Sequence, residues 1–277
     1  MTGQSHATPD WHAPDAGSTQ SDISISVVSH LQLEWVAGLM TDLEQLCADS
    51  RFELILTLNQ DEALPFALNQ FSYPVKLIRN KHPLGFGANH NQAFHFAESA
   101  CFCVINPDIR LTDNPFPALL AGLKDSSVGV VAPFVVGNEG APQDSARRFP
   151  TPLSILRKVR GMPPASEYPS ASAALHPDWV AGMFMLFPSH IFEKIGGFDE
   201  RYFLYYEDVD ICARLRLLAY EVLVCAQTRV LHEAQRHSHR NMRYLRWHLQ
   251  SMLRFFLSPV YRRIRKRHLV FDPAGRN

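Results

Sequence analysis

"ISISVVS", residues 23–29, is a short β-branched strand, and Leu31 to Cys47 follow it as a helical segment. Further strand-type runs come at "ELILTLN" (53–59), "VKLIR" (75–79), "CFCVI" (101–105) and "VGVVAP" (128–133), separated by helical or turn-rich segments. One of these, "GFGANHNQAFHFAES" (85–99), reads as a loop running into a helix. Strands that are apolar on both faces and alternate with helices predict an α/β fold. Its sheet is Rossmann-like, open and mostly parallel, with helices on both faces. Ligands bind such sheets beyond the carboxyl ends of the strands. The loops after Asn59, Asn80 and Ile105 are therefore where chemistry is expected.

The texture changes near Gly137, where "VGNEGAPQDSARRFPTP" is polar and turn-rich. "GMPPASEYPSASAALHP" (161–177) is expected to be a flexible loop. "WVAGMFMLF" (179–187) returns to strand, "SHIFEKIGGF" is a short helix with a glycine stop, and "YEVLVC" (220–225) is a strand. Residues 240–257 are expected as a helix, with "RRIRKRH" ending the ordered part. The division that follows is a disordered lead-in (1–21), a nucleotide-type α/β half (22–135), a half of the same domain carrying the acidic stretch (136–258) and a basic C-terminal tail (259–277).

The chain has 277 residues, 46% hydrophobic and 19% charged, which is enough apolar material for a substantial core. Lys+Arg 27 against Asp+Glu 27 leaves no global nucleic-acid footprint, so no nucleic-acid partner is expected. Five cysteines, an odd number mostly in apolar contexts, point to buried thiols in a reducing compartment. The polar first residues lack the apolar core of a signal peptide, and the longest apolar run falls far short of the ~20 residues that cross a bilayer. A cytoplasmic protein, soluble or lying on a membrane surface, is expected.

Several constellations carry chemistry. In "CFCVINPDIRL" (101–111) a hydrophobic strand ends in Asn106-Pro107-Asp108, placing one carboxylate at the sheet's carboxyl edge. That is either an ordinary turn or a ligand holding Mg2+ or Mn2+ against a diphosphate. In "NKHPLGFGANHNQAF" (80–94), Gly85 and Gly87 would let backbone approach a ligand, while Asn80, Asn89 and Asn91 offer neutral hydrogen bonds. The stretch lacks the third Gly of a dinucleotide fingerprint and the Lys of a P-loop, which disfavours a dehydrogenase or an NTPase. Arg147 and Arg148 in "QDSARRFPTP" are either an anion clamp or a solvated basic loop. His232 follows a strand and, with Asp108, could complete a divalent site, since neutral imidazole suits Mn2+.

The most unusual stretch is "YFLYYEDVDICARL" (202–215), where an aromatic run delivers Glu207, Asp208 and Asp210 into a helix start. Acids in a first turn are stabilised by the helix dipole, but one acid would suffice. Ile211, Leu215 and Leu218 form the apolar stripe of the helix, with Arg214 and Arg216 off it.

Across residues 22 to 257 the chain resembles the family 2 glycosyltransferases of GT-A fold, nearest in pattern to bacterial rhamnosyltransferase-like members that build surface polysaccharides. The resemblance rests on "NPDIRL", "QDSARRFPTP", "DWVAGMFMLFPSHIFEKIGGFDERYFLYYEDVDICARLR" and "RVLH". It implies a metal site at Asp108 and His232, with Asn106 in place of the first acid of a DxD-type motif. Asp208 of the Glu207-Asp208 pair is implied as general base. Trp179, Gly182 and the Asp199 and Glu200 of "GGFDE" are implied on the acceptor side. Donor contacts are then expected from Asn59, Asn80, Gly85, Gly87, Asn91, Asn106, Arg147 and Arg148. Two positions depart from the pattern: Ser29-His30 stands where Tyr-Asn is common, and Leu58-Asn59 where an Asp usually contacts base and ribose.

The function expected is a metal-dependent inverting hexosyltransferase that moves a sugar from a nucleotide-diphosphate sugar, dTDP-L-rhamnose above others, to a glycan or lipid-linked saccharide. Two rivals are a sugar-nucleotide-binding protein without turnover and a nucleotidyltransferase. The intact acid pair speaks against the first, and the absence of a Gly-rich basic loop near the first strand speaks against the second. The arginine-rich tail is either a docked helix with a solvated basic end or a peripheral contact with anionic lipid at the inner face of the plasma membrane.

Overall fold

The structure is a computed structural model that describes residues 10–12, 21–160, 175–233 and 242–271. Among these, a nine-stranded sheet carries the fold. Strand β1 (Asp10–His12) lies inside the segment expected to be a disordered lead-in, most of which falls outside the described residues. Then come β2 (Ile23–Ser29), α1 (Leu33–Leu46), β3 (Phe52–Leu58), β4 (Val75–Arg79), α2 (Phe86–Phe94) and β5 (Cys101–Ile105). Strands β4, β3, β2 and β5 lie side by side in parallel, and β1 closes the edge antiparallel to β4.

Strand side chains alternate between faces, and both faces here are covered. Leu54, Leu56, Cys103 and Ile105 pack into one cluster with Val36, Leu39 and Met40 of α1. Ile55, Phe102 and Val104 point the other way, into a second cluster with Ala93 of α2. That is why these strands read as largely apolar runs, with Ser24 and Glu53 buried as a bonded pair.

The second half adds β6 (Ile109–Leu111), α3 (Phe116–Gly122), β7 (Val128–Val136), β8 (Ala146–Arg147), α4 (Pro152–Val159), β9 (Trp179–Val180) and β10 (Phe184–Pro188). It ends with α5 (Ser189–Lys194), α6 (Glu207–Leu217), β11 (Glu221–His232), α7 (Met242–Leu257) and α8 (Pro259–Phe271). Strand β10 inserts antiparallel between β5 and β7, while β11 runs parallel to β7 and antiparallel to β6. The sheet is parallel through its first half and mixed through its second.

Two local expectations need correction, at residues 179–187 and at Leu218. "WVAGMFMLF" is not one strand: it breaks into β9 and β10 around Gly182, whose N–H turns away to the Asp208 carboxylate at 3.1 Å. The basic tail continues as α8 through Phe271, with Tyr261 and Ile264 buried. Helix α7 turns one face inward. Ser251 and Phe255 are buried, whereas Leu245 and Leu249 are exposed, because the Tyr206 and Tyr261 rings close on Phe255 at 5.6 and 5.4 Å. Leu218 is likewise exposed, lying just past the end of α6. Of the loop expected at 161–177, residues 161–174 lie outside the described residues, and Leu175 bridges to Val224 of β11.

Candidate active site

The first acidic edge lies where β5 turns into β6. The Asn106 N–H donates to the Met183 carbonyl at 2.9 Å, and the Ile109 N–H returns to the Asn106 carbonyl at 3.2 Å. Asp42 of α1 anchors β6 by accepting from Arg110 Nε at 2.6 Å and from the Leu111 N–H at 3.0 Å. The turn between them presents Asp108. Because β11 pairs antiparallel with β6, His232 stands opposite Ile109, and the Glu233 N–H donates to the Asp108 carbonyl at 3.0 Å. Two residues far apart in sequence thus meet: His232 Nε2 lies 3.3 Å from Asp108 Oδ2, and each side chain is 14% exposed.

Gln143, which the sequence reading did not single out, fixes the histidine. Its amide Nε2 donates to the His232 carbonyl at 3.0 Å, leaving its Oε1 to face His232 Nδ1 at 2.6 Å. The proton of a neutral imidazole then belongs on Nδ1, and the Nε2 lone pair faces the Asp108 carboxylate. Asp108 Oδ1 is buried with no partner. An imidazole beside a carboxylate that keeps one oxygen without a partner fits a divalent cation. No group of three or more His, Cys, Asp or Glu able to hold a metal occurs among the described residues. A cation here would therefore draw further oxygens from a diphosphate and water, as Mg2+ and Mn2+ do.

The second acidic edge is built by strain. Tyr205 and Tyr206 both adopt φ of 70°, a left-handed conformation costly for bulky residues, and α6 starts immediately after them. The three acids then part ways. Asp210 is buried and bonded to Arg214 Nε at 2.7 Å, so it serves the helix. Glu207 is buried, with Oε2 unpartnered, and burial followed by the Asp208 charge pushes its pKa well above the usual range. Asp208 is half-buried: Oδ2 accepts the Gly182 N–H at 3.1 Å and Oδ1 the Val209 N–H at 2.8 Å. Burial raises its pKa too, opposed by those backbone donors and the Arg147 charge.

Arg147 pairs with Asp144 at 2.8 Å and lies over the Trp179 ring at 5.3 Å. It sits opposite Trp179 in the β8–β9 ladder, and the Trp179 indole N–H donates to the Arg148 carbonyl at 2.9 Å. One turn ties the two acidic edges together, since Gly182 donates to Asp208 and Met183 accepts from Asn106.

The Asn- and Gly-rich loop has another use than the one expected. Asn59 Oδ1 accepts from the Leu84 N–H at 2.7 Å and from Asn80 Nδ2 at 2.9 Å, while Asn80 also donates to Asn89 at 2.7 Å. Asn91 donates to the Phe198 carbonyl at 2.8 Å and to Glu200 at 3.0 Å. A Cβ on Gly85 would lie 2.7 Å from the Phe203 carbonyl, and one on Gly87 2.6 Å from Phe198 Cβ. These glycines admit the 198–203 segment. Asp199 is clamped by Arg201 at 2.6 Å; burial acts to raise its pKa, but the Arg201 hydrogen bonds and charge win and lower it. Where the sequence lacks the expected carboxylate after β3, Glu62 stands at the edge and accepts from Ser29 Oγ at 2.5 Å.

The sequence model of "Glycosyl transferase family 2" matches residues 24–184, which span the first edge and the Gly182 turn. This chain belongs to glycosyl transferase family 2. The family 2 chain is 27% identical to "Rhamnosyltransferase WbbL" of Escherichia coli (strain K12) over 251 residues, covering 84% of this chain and 92% of that protein. It is 31% identical over 139 residues to the "N-acetylglucosaminyl-diphospho-decaprenol L-rhamnosyltransferase" of Mycobacterium tuberculosis, 47% of this chain and 45% of that one. Among solved structures, GalNAc-T7 with UDP, GalNAc and Mn2+ superposes with a TM-score of 0.60 at 15% identity, covering 77% of this chain and 43% of that one. The mannosyltransferase PcManGT from Pyrobaculum calidifontis gives 0.56 at 12%, covering 97% and 79%. At these identities the likeness establishes the fold, which is GT-A.

Proposed function

We propose that this family 2 glycosyltransferase is an inverting, metal-dependent hexosyltransferase in surface polysaccharide synthesis. The observation that carries the reading is the pair of acidic edges joined through Gly182 and Met183. An acceptor hydroxyl has a pKa far above neutrality, so its proton must leave as its oxygen bonds to the anomeric carbon. Asp208 takes that proton, held in place by the Gly182 and Val209 N–H groups. The bond from the anomeric carbon to the diphosphate breaks on the opposite face, its electron pair leaving with the diphosphate oxygen, and configuration inverts. Asp108 and His232 would hold Mg2+ or Mn2+. When bound, the cation supplies charge neutralisation on the leaving diphosphate. Arg147 of β8 and the adjoining Arg148 are assigned to the same anion, and Asn106 to the donor. Trp179, Gly182, Asp199 and Glu200 are assigned to the acceptor side. Glu207 is buried beside Asp208, and burial followed by the Asp208 charge favours its neutral form.

The names of the rhamnosyltransferase relatives support dTDP-L-rhamnose as donor. The decaprenol in one of those names supports a lipid-linked saccharide acceptor, and with it work at the cytoplasmic face of the membrane. A panel of sugar nucleotides assayed with Mn2+ or Mg2+, read by nucleoside diphosphate release, tests the donor, and proton NMR of the product tests the inversion. Release favouring another sugar, or a product of retained configuration, would overturn the respective part.

A further inference from the structure

Helix α7 carries two opposite apolar faces. The inner one is used: Ser251 and Phe255 are buried, Ser251 Oγ donates to the Leu204 carbonyl at 2.9 Å, and Trp247 packs on Phe203 at 4.7 Å. The outer one consists of Met242, Leu245, Leu249, Leu253 and Leu257, between 49% and 78% exposed. Steps of three or four residues place them in one row along the helix. Isolated exposed leucines need no explanation, but a continuous row along a helix marks an interaction surface.

Charge identifies the partner. Residues 242–271 contain no Asp or Glu, while Arg243, Arg246, Arg254, Arg262, Arg263, Arg265, Lys266 and Arg267 make them strongly basic. Arg262, Arg263, Arg265 and Lys266 are exposed on α8, whose Tyr261 and Ile264 anchor it from the inside. Since the whole chain is charge-balanced, the remainder is net acidic. An apolar row flanked by cations is the surface of a helix that lies in a lipid headgroup layer. A second copy on the same row would bring two such cationic surfaces together, which like-charge repulsion opposes.

We infer that the outer row of α7, flanked by the basic residues of α7 and α8, docks the enzyme on an anionic lipid bilayer. The leucines enter the boundary between headgroups and acyl chains, and the arginines and lysine meet lipid phosphates. The acidic remainder is repelled from the same surface, which fixes the orientation. Because α7 is bonded to the Phe203–Tyr206 segment that delivers Asp208, docking holds the base edge close to the bilayer. Among the described residues no helix is long and apolar enough to cross a membrane, so the contact is one of lying on the surface. For its purpose this inference rests on the reading of a lipid-linked acceptor; the contact itself does not.

The test is flotation of the full chain with vesicles of phosphatidylcholine alone and of equimolar phosphatidylcholine and phosphatidylglycerol, without donor or acceptor. Wild type should float with the anionic vesicles only. Leu245→Gln, Leu249→Gln and Leu253→Gln combined should lower partitioning by on the order of tenfold or more, with an unchanged thermal transition and unchanged turnover on a water-soluble acceptor. Arg262→Gln, Arg263→Gln, Arg265→Gln and Lys266→Gln combined should also weaken it, most at low salt. The inference is overturned if wild type stays unbound at low salt, or if the leucine variant floats as wild type does. A dimer that the leucine variant dissolves, without vesicle binding, would assign the row to a second copy instead. Vesicle binding without transfer to any lipid-linked acceptor would uphold the docking and refute the acceptor reading.

Discussion

Asp108 keeps one buried carboxylate oxygen without a partner and faces His232 across 3.3 Å, whereas Asp208 has both oxygens held by backbone N–H groups. Asp108 ends a relaxed turn between two strands; Asp208 follows two tyrosines in left-handed conformation. An orphaned oxygen beside an imidazole lone pair costs free energy until a cation arrives. A carboxylate pinned by N–H donors in a partly dry site is oriented for one proton transfer and needs no ligand to be stable. Residue type alone does not separate these two aspartates. Their surroundings do.

The largest test of that contrast is Asp208→Asn. Turnover should fall ~10²–10⁴-fold, the usual worth of a general base, with donor affinity by calorimetry unchanged. In the wild type the base must be ionised and its pKa is raised by burial. The acid limb of kcat should therefore lie above the ordinary aspartate range, with activity rising as pH climbs through it. Turnover of the variant close to wild type would merge the two edges into one function.

Next comes the cation edge. Asp108→Ala should cost roughly 10²-fold or more in kcat, since charge neutralisation on a leaving group is worth several kcal/mol. It should also abolish Mn2+ binding seen by electron paramagnetic resonance, and excess chelator on the wild type should match it. Full activity in chelator would remove the cation from the mechanism and leave the Asp108–His232 pair a structural one.

Gly87→Ala probes the packing that sets the base edge in place. Its Cβ would lie 2.6 Å from Phe198 Cβ, so the 198–203 segment must shift. Overpacking of this kind costs ~1–3 kcal/mol, read as a lowered midpoint in denaturant. An unchanged midpoint would mean that this segment adapts freely.

The smallest effect is expected of Glu207→Gln. A carboxyl whose burial favours the neutral form is replaced by a neutral amide, so turnover should fall less than ~10-fold, short of the general-base range. The stability signature is sharper. Glu207 holds its proton more tightly folded than unfolded, so its contribution is complete below the unfolded pKa and is lost as pH rises through the raised folded value. The variant's thermal midpoint should decline less than that of wild type over that window. A loss of turnover equal to that of Asp208→Asn would make the pair, not Asp208 alone, the base.

Much of the fold was legible along the chain. The largely apolar runs at 23–29, 53–59 and 101–105 became the parallel strands β2, β3 and β5, because both faces are buried and polar members such as Ser24 and Glu53 bond to each other. The packing of the 198–203 segment on Gly85 and Gly87 was not legible, because a glycine that admits a ligand looks the same as one that admits a neighbouring segment. Gln143 went unnoticed because an amide in a polar loop carries no signal until a register brings a histidine to it. The break at Gly182 was hidden inside a run of strand-forming residues, since its cause is a carboxylate on a helix 26 positions away.

By itself the sequence determined the alternation of strands and helices, the carboxylate at the end of β5 and the acids at the start of α6, all consequences of local pattern. Only the tertiary structure decided that Asp210 pairs with Arg214 while Asp208 is held by the Gly182 and Val209 N–H groups, and that the leucines of α7 face outward while Phe255 faces in. A helix with apolar residues on two sides does not say which side is buried. The Tyr206 and Tyr261 rings settle that, because they reach Phe255 only after α8 has folded back on α7 and the distant start of α6 has packed against both.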